Sequence, residues 1–404
     1  MEFIRTFGPT LVSFWVALVV AQLLIRHKSF SYLLHREGRY ATVDGLRGFL
    51  AISVFFQHCV FTWHWKVTGE WLELPDDLFY FTNYGKVGVA IFFMITGFLF
   101  IPRILERRNV QFWFKLYESR VFRIYPLYLL ALVILSAVAF ARSNYELQVA
   151  PMELAKEYIR FGLFLGHRIN DVPQTTRVIA GVDWTLKYEW FFYLSLPILG
   201  LIITRFAKVG VWALLILSVV FFFYPVVLYR IDTMYLIFFA VGGLASYLHR
   251  QEFVAEDRMK NKFISVLTLL AVIGAVFYPT MFDIYHVAII SLFFILVALG
   301  NDLFGVFSLK SSALLGEISY SIYLLHGVIL YFAFTVCNVV EIRSYSLQDY
   351  LLLMPILTVV LVLGTAVTFL TIEKPGMDLG RKYIFSSALA SFVGLKPIRR
   401  QPHG

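Results

Sequence analysis

Apolar runs of about twenty residues alternate with short polar intervals over nearly the whole chain. A helix of about that length crosses the ~30 Å hydrocarbon core of a bilayer. The pattern predicts spans at 10–25, 43–65, 84–101, 124–140, 184–203, 211–228, 234–248, 263–277, 285–299, 313–337 and 350–372, eleven in all. In the third span, Gly85, Gly88, Ala90 and Gly97 suit close helix packing. The longest polar interval, 141–183, places Leu154, Ala155, Tyr158 and Ile159 between Glu153, Lys156, Glu157 and Arg160 at helical spacing. That spacing predicts an amphipathic helix lying at the membrane interface. No fixed repeat of twenty to fifty residues and no inverted repeat of broken helices is evident. The expected fold is all-α, a polytopic bundle with no hydrophilic stretch long enough for a second globular domain.

Composition supports this. Of 404 residues, 59% are hydrophobic and 15% charged, far from a soluble average. The net charge of +9 needs no nucleic acid, because Lys and Arg gather in cytoplasmic loops. Basic residues fall on every second side: Arg26, Lys28, Arg36, Arg39 and Arg47; Arg103, Arg107, Arg108, Lys115, Arg120 and Arg123; Arg205 and Lys208; then three further groups toward the carboxyl end. The loop carrying Glu70, Glu73, Asp76 and Asp77 is acidic. This alternation places the amino terminus outside and the carboxyl terminus in the cytoplasm. The first span lacks a small-residue cleavage site and is expected to stay. Cys59 and Cys337 both lie in apolar runs, so no disulfide framework is expected. The basic stretch from Ser386 to Gly404 is expected to be poorly ordered.

Against this apolar background, the second span carries Asp44, Arg47 and His58. Ionisable groups inside a span are costly and usually functional. Arg47 and His58 are eleven residues apart, which on one helix puts them on one face with ~16 Å between them. Asp44 falls near the same stripe. His64 is expected in solvent at the outer end. Other polar groups sort by depth: Arg120, Arg123, Glu317, Glu373 and Lys374 toward the cytoplasm, His326 near mid-membrane, and Trp184, Lys187 and Glu189 toward the outside.

These pieces, DGLRG with its Arg47–His58 spacing, FFMITGFL, RVFRIYPLY, DWTLKYEWFFYL, GEISYSIYLLH and IEKP, occur in an order that resembles the acyltransferase 3 family of integral-membrane acyltransferases. The resemblance covers residues 40–376, leaving 1–39 as an added helix with its linker and 377–404 as a basic tail. No hydrolase-like domain follows the membrane part, as it does in some members. The resemblance implies transfer of an acyl group, often acetyl, from acyl-coenzyme A to a hydroxyl of a carbohydrate or glycolipid. Known acceptors of the family include cell-surface polysaccharides, lipid-linked sugars and macrolides. It also implies a bacterial inner-membrane location, with the donor as substrate and no permanently bound cofactor or metal.

On that reading Arg47, Arg120 and Arg123 hold the donor's phosphates, since arginine forks match phosphate oxygens. His58 acts as general base or, in a covalent variant, accepts the acyl group. Glu189 orients His58 or the acceptor hydroxyl, and Asp44 joins the catalytic set. Trp184, Tyr188 and His326 are the candidate acceptor contacts. Glu317 and Glu373 are candidate counter-ions of the arginines. Two other classes stay open: a transporter or flippase of a lipid-linked sugar with His58 and Glu189 as a proton relay, and an assembly subunit without chemistry. The oligomeric state is not determined by the sequence.

Overall fold

The computed structural model describes residues 2–35, 40–71, 74–105, 110–228, 230–251 and 256–382. Arg36, Arg39, Glu73, Arg107, Arg108 and the tail from Ser386 to Gly404 lie outside the described residues. The helices are α1 (Glu2–Leu24), α2 (Tyr32–His35), α3 (Ala41–Thr68), α4 (Phe79–Leu105), α5 (Val110–Arg142), α6 (Pro151–Gly162), α7 (Trp184–Phe223) and α8 (Leu236–Arg250). They continue with α9 (Glu256–Met259), α10 (Lys262–Phe277), α11 (Ile284–Ala298), α12 (Lys310–Glu317), α13 (Ser319–Tyr331), α14 (Leu347–Leu351), α15 (Met354–Thr368) and α16 (Lys374–Lys382). A two-stranded ribbon, β1 (Val227–Leu228) with β2 (Ile231–Asp232), is the one departure from helix in the element order.

By length and composition, seven helices among the described residues can cross a membrane and three shorter ones are apolar. The chain is therefore an integral membrane protein built as a helical bundle, but the expected eleven crossings are not reached on that measure. The predicted span at 234–248 is α8, whose 15 residues rise only ~22 Å. The predicted span at 313–337 is interrupted at Ile318, between α12 and α13. Arg120 and Arg123, expected in a loop, sit on α5, because residues 110–123 contain no helix breaker and continue the apolar helix backwards. The predicted amphipathic segment is α6, with Phe161 fully buried and Lys156 and Arg160 outward. Its Glu157, however, is buried and accepts the backbone N–H of Asn170.

The expected loop at Arg205–Lys208 is also helical, since α7 runs unbroken for 40 residues. A straight rod of that length would put Phe223 ~52 Å from Tyr188. Yet the Asp232 N–H donates to the Tyr188 hydroxyl at 2.8 Å, and the nine residue steps from Phe223 to Asp232 reach no further than ~32 Å. Even with the length of the Tyr188 side chain added this falls short of the straight rod, so α7 is bent.

The two inner helices are α3 and α4, with 83% and 78% of their apolar windows buried, against 39% for α1 and α5. On α5, Leu129 and Val133 point outward, as lipid-facing residues must. Close approach at the centre depends on glycine. A Cβ on Gly97 would meet the Phe239 carbonyl oxygen at 2.1 Å, and one on Gly242 would meet that of Met94 at 1.9 Å, so α4 and α8 touch backbone to backbone. Gly316 does the same for α12, with the Asp44 carbonyl at 1.9 Å from a Cβ there. That contact sets GEISYSIYLLH beside DGLRG. At the other end of α3, Gly69 takes φ 87° and donates its N–H to Trp65 O, a left-handed cap that stops the helix.

Candidate functional site

His58 lies in the middle of α3 and is buried among its neighbours. Its Nδ1 is 2.9 Å from Val54 O and 3.2 Å from His326 Nε2 on α13. His326 Nδ1 in turn lies 3.2 Å from Ile322 O. A carbonyl oxygen only accepts, so each Nδ1 must carry the hydrogen. His58 Nδ1–H is then shared between Val54 O and the lone pair of His326 Nε2. With Nδ1 engaged by Val54 O and His326, Nε2 is the ring nitrogen of His58 left for other partners.

His326 is completely buried behind His58 and lines neither cavity, so it is placed as the partner of the imidazole and not as an acceptor contact. Neither does Glu189 reach His58. Its Oε2 accepts from the Tyr193 hydroxyl at 3.0 Å, and its charge faces Arg120, Arg47 and Arg123. Glu189 sits on α7 beside the arginines, and the residue in contact with His58 Nδ1 is His326. Asp44 is fourteen residues from His58, ~21 Å along the helix, and its charge is felt by Arg47. That distance removes it from chemistry at the imidazole.

At the arginine end, a void of about 60 Å³ is lined by Arg47, Glu189, Ser319, Tyr320, Tyr323 and Thr185 among others. Arg47 Nε is buried there without a hydrogen-bond partner. Arg120 and Arg103 both lie over the Phe100 ring, at 5.3 and 4.9 Å from its centroid. Glu373 is fully buried, accepts from Ser321 at 2.8 Å and faces Arg123 and Arg47 as their counter-ion. Glu317 instead accepts from the Tyr32 hydroxyl at 3.4 Å.

At the opposite end a larger cavity, about 620 Å³, is lined by Trp71, Trp184, Arg177, Asp183, Lys187 and Arg230 among others. His58 does not line it but lies next to its wall. The Trp71 ring is 6.5 Å from the imidazole, and the Ala180 carbonyl, next to the lining residue Gly181, faces the imidazole. The loop carrying Ala180 is pressed against α13 at Gly327, where a Cβ would meet Ala180 N at 2.4 Å. The Tyr323 hydroxyl, 2.9 Å from Thr185 Oγ1 and 3.2 Å from Val182 O, ties the same loop down. Trp184 lines this cavity as expected of an outer aromatic. Tyr188 does not: it packs on Phe93, Trp184 and Tyr235 with its hydroxyl held by Asp232. His64, expected in solvent, is buried, with Thr68 Oγ1 at 3.4 Å.

Asp183, Trp71 and Arg177 were not singled out by sequence reasoning. Asp183 stands in the quoted DW motif, and that was its only signal. Burial pushes its carboxyl up to about 7, with its own backbone amide and Lys187 offsetting part of the effect. An unfolded aspartate titrates near 3.9. Between ~4 and 7 the unfolded chain has therefore lost a proton that the folded chain keeps, and stability falls as pH rises through that window, then levels off. Asp183→Asn removes this slope, read as the thermal midpoint of detergent-solubilised protein from pH 4 to 8. An unchanged slope in the variant excludes Asp183 as its source.

An acyltransferase 3 family profile, described as "Acyltransferase domain", matches residues 40–372. Among curated proteins, "Nodulation protein 10" of Rhizobium leguminosarum bv. viciae is 27% identical over 243 residues, 57% of this chain and 56% of that protein. "Acyltransferase MdmB" of Streptomyces mycarofaciens is 26% identical over 174 residues, 40% of each. The chain thus spans about half the length of these relatives or less. No solved structure matches.

Proposed function

The chain belongs to this acyltransferase family, and from that premise we propose that it moves an acyl group, acetyl in the first instance, from acyl-coenzyme A to a hydroxyl of a carbohydrate. As a member of the family it is an enzyme that transfers acyl groups other than amino-acyl ones. The observation that carries the finer reading is the buried His58–His326 pair, set between an arginine-lined end and a cavity wide enough for a sugar.

In this scheme Arg47, Arg120 and Arg123 hold the donor phosphates, and the pantetheine arm runs the ~16 Å from Arg47 toward His58. The acceptor enters the larger cavity and offers its hydroxyl to His58 Nε2. The imidazole takes the hydroxyl proton, the oxygen bonds to the thioester carbonyl carbon, the C–S bond breaks, and the departing thiolate recovers the proton. While it carries that proton, the imidazolium is stabilised by the Ala180 carbonyl. The 60 Å³ void holds no more than a water or two, so Phe92, Phe93 and Tyr323 must shift to admit the arm. A proton relay from His58 to Glu189, as a transporter would use, lacks the direct contact it needs.

The test is transfer or hydrolysis of labelled acetyl-coenzyme A by purified protein in detergent. His326→Ala is expected to lower kcat about tenfold or more with little change in KM, because His58 loses one of the two acceptors that fix its ring. His326→Gln, whose amide oxygen can accept from Nδ1–H, is expected to restore part of the loss. Equal activity of the alanine variant and wild type would remove His326 from the mechanism.

A further inference from the structure

The larger cavity carries more positive charge than acyl transfer itself requires. Arg177, Lys187 and Arg230 line it, and Asp183 is the one acidic residue among its described lining residues. His167 adds an imidazole bonded to the Arg230 guanidinium. Lys187 feels Arg230 as a like charge and has Asp183 as its acidic neighbour. Arg177 has like-charged Arg142 nearby, and its Nε is buried without a hydrogen-bond partner. The Arg177 guanidinium lies over Trp65 at 4.4 Å and over Trp71 at 5.3 Å from the ring centroids, so its orientation is set before any ligand arrives. Cations gathered in a cleft with low-dielectric walls raise the local concentration of anions. Trp71 and Trp184 add flat apolar faces of the kind that pack on a sugar ring.

Resting on the acyl-transfer reading above, we propose that the acceptor is an anionic carbohydrate, a sugar bearing a phosphate or a carboxylate. Arg177 and Arg230 hold the anion, Trp71 and Trp184 flank the ring, and the hydroxyl to be acylated points down toward His58. A phosphate would come from a lipid-linked sugar and a carboxylate from a uronic acid. Both present oxygens that match an arginine fork.

The experiment is an intrinsic-tryptophan titration of the full purified chain in detergent with glucose 1-phosphate, glucuronate, methyl glucoside and coenzyme A. Either anionic sugar is expected to bind at least tenfold tighter than the neutral glycoside, with affinity falling as salt rises. The ratio of phosphate to carboxylate affinity tells the two sources apart. Arg230→Gln, at an exposed turn, is expected to weaken the anionic sugars about tenfold to hundredfold and leave the neutral one unchanged. Lys187→Gln provides a second variant with the same expectation. Equal binding of neutral and anionic sugars overturns the proposal. So does loss of coenzyme A binding in Arg230→Gln, which would assign the cavity to the donor. The titration needs no turnover: a protein that binds anionic sugars but never transfers acetyl defeats the enzymatic scheme alone, and one that acetylates neutral acceptors equally well defeats this inference alone.

Discussion

His58→Ala is expected to lower acetyl transfer by about 10²–10⁴-fold, the range that a positioned general base contributes. The loss should fall on kcat, because the arginine end and the larger cavity are built from other residues. Binding of coenzyme A and of acceptor sugars should stay within a few-fold of wild type. Both versions of the chemistry, proton abstraction and acyl-histidine, require this result. They part in a rapid-quench experiment with labelled acetyl-coenzyme A and no acceptor, where only the covalent route leaves label on His58. The alanine leaves a cavity beside Phe61 and Trp71, so His58→Gln is the companion variant that keeps side-chain bulk. Near-wild-type transfer by either folded variant would end the assignment of His58.

The second large effect is expected at Arg47. Arg47→Lys keeps the charge but loses the fork, and it is expected to raise KM for acetyl-coenzyme A about tenfold to hundredfold with kcat within a few-fold. Steady-state kinetics at saturating acceptor separate the two constants. An unchanged KM would count against any phosphate contact by this residue. Arg47→Ala is a different experiment. It leaves the Glu189 and Glu373 carboxylates facing one cation fewer in the bundle interior, and buried charge with less compensation is destabilising. Loss of folded protein is the expected outcome there, which is why the lysine variant carries the test.

The arginine end and the imidazole were legible in the sequence because both sit on one helix, where separation in residues converts directly into angle and distance. The family motifs were legible for a related reason, since each is a short continuous run. What failed to show was any relation across helices. His326 was read as an acceptor contact; its partner is 268 residues away, and no periodicity connects the Val54–His58 pair on α3 with the Ile322–His326 pair on α13. Glu189 was placed by depth alone. Its hydrogen bond from Tyr193 is local to α7, but the arginines it faces lie on α3 and α5, and helical spacing along α7 does not reveal them.

The sequence by itself determined that this is a helical membrane protein, which segments are apolar, and that Arg47 and His58 share a face. Those properties follow from composition and from the fixed rise and turn of an α-helix. Tertiary structure alone decided the His58–His326 pair, the separation of Glu189 and Asp44 from the imidazole, and the cavity walled by Trp71, Arg177 and Asp183. Those depend on backbone contacts at Gly316, Gly327 and Gly97, where one hydrogen in place of a side chain lets two segments touch. Each glycine is visible in the sequence. Its partner across the bundle is not.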